Sequence, residues 1–459
     1  MNMHQNSNWR DYQIRIKRKK RVSFIGRLFK WILPACFIFL IAYMFLPYQD
    51  LVSWVSETSR RHQETAIISE AAAPQNAPAS PPVLDKLSVQ ALLENSAFTN
   101  ITQKRFTVEA DGHPLQVTTS IDPSLQAYIL KQIDRKNSRY VGIVVMVPST
   151  GKIIAMASYD KTNSITNPCL SNQYPAASIF KIITAAAAVE ELGYQPSSKL
   201  AYNGRRHTLY RSQLKEKQNR YTNRVTFRDS FAKSINPVFG KIGSLYLGKN
   251  ALEKYASSFG FNKHIDFEIP LQPSLVSLTD EPYHWAEIAT GFNRQTIISP
   301  LHGALIAAAI INDGRLIEPT IVEKIIDDAG RSLYESETKS IQQAFAPTST
   351  ETLFDLMQST ITSGTARKSF RGSKRDRILS KLIMGGKTGS INNRGHDLRY
   401  DWFVGFAQEK SGPGKLAISV VVAHEEYIGT RATRYARLIF KRHFQNFVAD
   451  REHQKNQSS

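Results

Sequence analysis

Residues 176–192 read AASIFKIITAAAAVEEL, and the fold depends on where such a segment can be placed. At helical spacing it is apolar on nearly every face until Glu190, so it predicts a helix buried inside a sizeable core. Ser178 and Lys181 stand at its start, three residues apart and therefore on one face. Lys181 is the only charged side chain in the segment before Glu190. An ammonium there is disfavoured twice, by desolvation and by the positive end of the helix dipole. A lysine kept neutral can take the proton of a neighbouring serine hydroxyl, which makes Ser178 a candidate nucleophile. The plainer reading has Ser178 capping the helix and Lys181 reaching out to water. Spacing alone does not decide, because Ser-x-x-Lys also starts at Ser149, Ser158, Ser212, Ser230 and Ser336. Only Ser178 opens a long apolar helix.

Working outward, LQVTTSI reads as a strand and residues 123–137 as a helix. YVGIVVMV and KIIAMASY, joined by Pro148-Ser149-Thr150-Gly151, read as a hairpin. Helices are predicted near 177–192, 229–246, 250–259, 299–312 and 348–363, with Ser299 as cap and Pro300 at the first position of the fourth. The chain closes with strands LIMGGKTGS, DWFVGFA and KLAISVVVA and a basic helix near 429–448. Strands at both ends of a helical middle predict an α+β fold. It has an antiparallel sheet flanked by helices, an inserted all-helical lobe, and a cleft where lobe meets sheet.

Two further segments carry chemistry. Ser234-Ile235-Asn236 lies in a helical stretch, and Lys387-Thr388-Gly389 lies inside the strand LIMGGKTGS. Gly385, Gly386 and Gly389 predict that a ligand's backbone can run close beside that strand. GKT also invites a phosphate-loop reading, but that motif needs a glycine at position 381, which is Lys381. The histidines show no metal-ligand spacing such as HExxH, so no metal is expected.

Ser178-x-x-Lys181, Ser234-x-Asn236 and Lys387-Thr388-Gly389 resemble, in order and spacing, the three motifs of penicillin-binding proteins and serine β-lactamases. Flanks such as SINPVFGKIG, ATGFNRQTIISPLHGALIAAAIINDGRLIEP and DWFVGFA are similar to the transpeptidase members. The resemblance covers residues 115 to 445. It implies a D,D-transpeptidase acting on peptidoglycan stem peptides that end in D-Ala-D-Ala, without a cofactor. Ser178 would attack the penultimate carbonyl while Lys181 takes its proton. The backbone N–H groups of Ser178 and Ser390 would form the oxyanion hole. Ser234 would relay a proton to the leaving D-Ala, and Asn236 would bind the donor's amide. Lys387, Thr388 and Ser390, beside Gly389, would hold the terminal carboxylate. β-Lactams would acylate Ser178 as substrate mimics. The rivals are a carboxypeptidase or β-lactamase on the same scaffold and, from another class, a non-catalytic receptor or scaffold.

The whole chain has 459 residues, with 59 Lys+Arg against 39 Asp+Glu, a formal net charge of +20 and two cysteines. Charged residues at 21% and aromatics at 10% exclude a mainly disordered chain. Two cysteines exclude a disulfide framework. The charge at first suggests nucleic acid, but its distribution suggests a membrane. Residues 1–30 carry nine Lys or Arg against Asp11, and the apolar run Trp31–Pro47 follows. That order predicts a cytoplasmic basic segment and a membrane anchor at 31–48, rather than a cleaved signal peptide. Residues 49–114 then read as a juxtamembrane segment with the Ala/Pro-rich tether AAAPQNAPASPP, 115–448 as the transpeptidase domain and 449–459 as a frayed tail. The catalytic part is thereby expected outside the cytoplasm of a bacterial inner membrane, where nucleic acid is not the partner. Only about 70 residues separate anchor and domain, so a separate glycosyltransferase is the expected partner for glycan polymerisation. Lys199–Arg228 and Arg367–Lys381 hold nine and seven basic residues against one acid each. They read either as a solvated face or as a rim attracting anionic wall material.

Overall fold

Runs such as YVGIVVM, DWFVGFA and AISVVVA place apolar side chains at successive positions, so strands made from them need cover on both faces. The structure, a computed structural model, describes residues 84–93, 98–110, 112–163 and 166–457, and in it these runs form one sheet. Its strands are β1 (Ser138–Met146), β2 (Ile153–Asp160), β3 (Leu382–Asn392), β4 (Arg399–Glu409) and β5 (Lys415–His424). They are antiparallel throughout and ordered β3-β4-β5-β1-β2, which leaves β3 at an edge. Strands from the two ends of the chain meet where β5 pairs with β1, Val420 opposite Ile143.

Alternate residues of each strand feed two cores, as the period of two requires. Val144, Met146, Trp402 and Val404 join one core with Ile179, Ile182 and Leu301. Val141, Ile143, Val145 and Phe403 join the other with Leu125, Ile129 and Tyr435. The first core holds helices α1 (Lys181–Leu192) and α2 (Pro300–Ile310). Ser299 caps α2 by accepting the N–H of His302 at 3.1 Å, and Pro300 takes the first helical position, as predicted. The second core holds the helix Pro123–Gln132 and the start of the closing helix Ala432–Gln457. Each buried Val, Ile or Phe side chain contributes about 1.5–3 kcal/mol, so the cover on both faces is what makes these strands stable.

The insert between β2 and β3 departs from an all-helical lobe. Besides its helices it carries short ladders, Lys199–Tyr202 with Asn223–Thr226 and Tyr174–Pro175 with Ile297–Ile298. The helix expected near 229–246 is interrupted. One helix ends at Ala232, Ser234 takes φ 54°, and another starts at Asn236 with Pro237 in its first turn. Pro237 has no N–H to give to the carbonyl of Lys233, as a continuous helix would require, so it opens the second segment instead of continuing the first.

Upstream, Arg105–Ala110 pairs with His113–Thr119, which pairs with Val322–Ile326 in a second, four-stranded sheet. The helix Lys86–Leu93 buries Val89 and Leu93 in the first core. The helix Lys86–Leu93 and the strand Arg105–Ala110 fall within residues 49–114, expected to be juxtamembrane segment and tether. The closing helix likewise continues to Gln457, into the expected tail. The leader at 1–30 and the anchor at 31–48 lie outside the described residues. Among the described residues no helix is long and apolar enough to cross a membrane.

Candidate active site

Ser178 sits in a tight 3₁₀ turn, Ala177–Phe180, that runs directly into α1. Ala177 before it has φ 48°, a left-handed backbone that costs a non-glycine residue about 1 kcal/mol. The turn is held from below by Gly291, at φ 68°, whose backbone lies so close that an added Cβ would come within 1.7 Å of the Ala177 carbonyl oxygen. On the other side Trp402 of β4 donates its indole N–H to the carbonyl of Pro175 at 3.0 Å. The strain at Ala177 is therefore enforced by two neighbouring elements, and it presents Ser178 to the edge of β3.

Lys181 lies three residues on, fully buried. Its Nζ is 2.9 Å from Ser178 Oγ, 2.8 Å from Asn236 Oδ1 and 2.7 Å from the carbonyl of Thr290, and 5.7 Å from the Phe239 ring centroid. Asn236 donates its Nδ2 to the carbonyl of His207 at 3.2 Å, which turns Oδ1 toward the lysine. Two of the three partners can only accept. An ammonium would donate to all three oxygens; the neutral amine would keep its two N–H bonds for Asn236 and Thr290 and turn its lone pair to the Ser178 hydroxyl. Burial, and then the neighbouring positive charge of Lys387, push the Lys181 amine well below the ordinary lysine range.

Lys387 projects from β3, also fully buried, 5.5 Å from the Phe231 ring centroid. Its Nζ donates to Ser234 Oγ at 3.0 Å and to the carbonyl of Thr388 at 3.0 Å, and burial pushes it down to about 7. The break between the two lobe helices thus puts Ser234 beside Lys387 and Asn236 beside Lys181. The turn between them connects the two lysines. Thr388 shares a 2.5 Å hydroxyl contact with Thr365. Ser390, at the exposed end of the motif, accepts from Arg399 Nε and Nη2 of β4 at 3.2 and 3.1 Å.

All eight residues expected at the site therefore lie where the lobe meets the edge strand β3. The glycines differ from expectation. A Cβ on Gly385 or Gly386 would strike the ring of Phe406 or Phe403, at 2.5 and 2.3 Å, so those two make room for the neighbouring strand rather than for a ligand. Gly389 faces Ala177 and Ile179, each 3.3 Å from its would-be Cβ, and so allows the edge strand to approach the Ser178 turn. The Thr290 carbonyl, Thr365 and Arg399 were not foreseen. A carbonyl leaves no trace in a residue's identity, and the other two come from segments without a motif. Cys169 is buried, with its thiol pushed up to about 12 by desolvation. Among the described residues no group of His, Cys, Asp or Glu is assembled to hold a metal ion.

A serine hydroxyl against a buried lysine amine, beside a second buried lysine at a sheet edge, is an arrangement suited to serine acyl transfer, on an α+β scaffold. Residues 141–444 match the penicillin binding protein transpeptidase domain model. The chain belongs to the penicillin-binding protein transpeptidase family, and its enzyme class is serine-type D,D-transpeptidase. The peptidoglycan D,D-transpeptidase PbpA of Mycolicibacterium smegmatis is 26% identical over 67% of this chain and 67% of its own length. Stage V sporulation protein D of Bacillus subtilis is 24% identical over 64% of this chain and 47% of its own length, so the chain spans about half of that relative. The fold is similar to the D,D-transpeptidase domain of a peptidoglycan glycosyltransferase from Eggerthella lenta, with TM-score 0.59 at 21% identity over 80% of this chain and 91% of that one. It is also similar to penicillin-binding protein A of Mycobacterium tuberculosis as an imipenem acyl-enzyme complex, with TM-score 0.57 at 21% identity over 70% and 78% of the two chains.

Proposed function

We propose that this chain is a membrane-anchored D,D-transpeptidase that cross-links peptidoglycan stem peptides through an acyl-enzyme on Ser178. The observation that carries the reading is the Lys181 amine, fully buried and 2.9 Å from the Ser178 hydroxyl, with its other two contacts to the oxygens of Asn236 and Thr290. Ser178 Oγ attacks the penultimate carbonyl of a D-Ala-D-Ala donor as its proton passes to Lys181. The oxyanion is held by the N–H groups of Ser178 and Ser390. Collapse breaks the peptide bond, and Ser234 relays the proton to the departing D-Ala amine. The ester on Ser178 is then attacked by an acceptor amine, whose proton leaves through Lys181 as Ser178 Oγ is restored.

Asn236 binds the donor's amide. Lys387, Thr388 and Ser390 hold its terminal carboxylate, with the donor lying as an added strand on the open edge of β3, beside Gly389. β-Lactams enter as mimics of the donor. The basic leader and apolar run of residues 1–48 place the catalytic domain outside the cytoplasm, on the outer face of the bacterial cytoplasmic membrane. Glycan polymerisation is assigned to a separate glycosyltransferase.

The test uses purified full-length protein with a stem-peptide donor and an amine acceptor. Cross-linked dimer should form with the native chain and not with Ser178→Ala. Release of D-Ala without dimer would make the enzyme a carboxypeptidase. Rapid turnover of penicillin would make it a β-lactamase. Growth and wall structure supported by Ser178→Ala would make it a scaffold.

A further inference from the structure

Several arginines away from the site have an acid beside them. Arg139, Arg211, Arg228 and Arg331 reach Asp160, Glu281, Asp355 and Asp327. Around the site six cations stand together without one. Arg205, Arg206, Arg294, Arg367, Lys368 and Arg399 have no carboxylate partner among the described residues, and all but Arg294 are exposed.

Hydrogen bonds fix the backbone that carries these cations. The carbonyl of Arg206 accepts the backbone N–H of Asn236 at 2.7 Å, so Arg205 and Arg206 sit on the lobe side of the site. Thr365 donates its N–H to the carbonyl of Ala232 at 3.0 Å and touches Thr388. Arg367 and Lys368 follow it at once, on the opposite side. Arg294 Nε donates to the carbonyl of Asn392 at 2.7 Å, and Arg399 clasps Ser390, so a third pair stands at the end of β3. The floor of the cleft, Lys181 and Lys387, has no acid either. Like charges gathered without counter-charge repel one another, and an anion arriving from outside relieves that repulsion.

We propose that this rim binds carboxylates of the acceptor peptide, the one whose amine attacks the acyl-enzyme, and so selects acceptors with free carboxylates over amidated ones. The proposal rests on the transpeptidase reading and names the acceptor chemistry of the same site. The donor's own terminal carboxylate is already assigned to Lys387, Thr388 and Ser390, deeper along β3. The rim lies outside it, in three short groups around an opening. That suits separate carboxylates on a peptide entering the cleft better than a continuous polyphosphate.

The experiment measures aminolysis of the Ser178 acyl-enzyme by one acceptor peptide with its carboxylates free or amidated, at low and high salt. Penicillin labelling of Ser178 is measured first; its absence would sink the transpeptidase reading itself. With labelling intact, the free-carboxylate peptide should react ~10-fold faster at low salt, and salt should erase most of the difference. Arg205→Gln with Arg367→Gln and Lys368→Gln should remove the preference while penicillin labelling changes less than ~2-fold. Equal rates for the two peptides in the native protein would overturn the proposal without any variant. So would stronger inhibition of aminolysis by inorganic pyrophosphate than by a non-reactive acidic peptide, which would assign the rim to phosphate.

Discussion

A lysine amine can deprotonate a serine only while it is itself neutral, and what lowers the proton affinity of Lys181 is local. It is buried, its acceptors are uncharged, and Lys387 adds positive charge nearby. Lys387, by contrast, is proposed to work as a cation on the substrate's carboxylate, and burial has brought it to about 7. Acylation should therefore switch on as pH rises through a Lys181 value well below the ordinary lysine range, while loss of the Lys387 cation above about 7 should weaken binding of the substrate's carboxylate. The second-order rate of β-lactam acylation is predicted to stop rising with pH well below ~10. A rate climbing steadily to pH ~10, where an ordinary lysine titrates, would contradict this. Stability has a linked sign. The unfolded chain holds these lysine protons more tightly than the folded one, so the Lys387 contribution grows as pH rises from about 7 toward ~10.4 and is absent below that window. Ser178 and Lys181 were legible because their spacing coincides with one helical face in an apolar segment. The Thr290 carbonyl that completes the network was not, since any residue type supplies a carbonyl.

The elements that hold Ser178 are a strained 3₁₀ turn, the turn at Gly291 and the edge strand β3. Gly291→Ala adds a Cβ where the Ala177 carbonyl already stands, at a φ of 68°. It should cost about 2 kcal/mol or more and slow acylation, because the Ser178 turn must shift to relieve the clash. Gly193→Ala is the control. Its φ is 63° but nothing lies within 4 Å of the added Cβ, so it should cost only ~1 kcal/mol and leave acylation intact. Thermal unfolding and β-lactam labelling of both variants check the pair; equal effects on labelling would refute the buttressing role. The apolar runs announced β1, β4 and β5. The break at Ser234 was harder to read, because SINPVFGKIG has helical character throughout and only Pro237 marks the interruption. The helix at Lys86–Leu93 and the strand at Arg105–Ala110 were also missed. Their apolar residues are few, and tertiary packing rather than local pattern stabilises them.

At the scale of the whole molecule, one enzyme site is assembled from four distant stretches: the Ser178 turn, the Ser234–Asn236 break, the Gly291 turn and β3. Order and spacing made three of them legible in the sequence. What joins them, strands from both chain ends in one sheet, could be inferred only as a class of fold, because pairing partners far apart in sequence leave no local signal. The charge of +20 also divides at this scale, between a leader assigned to the membrane and a domain whose unpaired cations surround its cleft. The proposed acyl-enzyme depends on the fold concentrating reactivity at a single serine among six with a lysine three residues on. Peptide mass spectrometry after brief penicillin treatment tests this most directly. A long-lived adduct should map to Ser178 alone and vanish in Lys181→Ala. An adduct on Ser149, Ser158, Ser212, Ser230 or Ser336, or a protein left unlabelled, would contradict it.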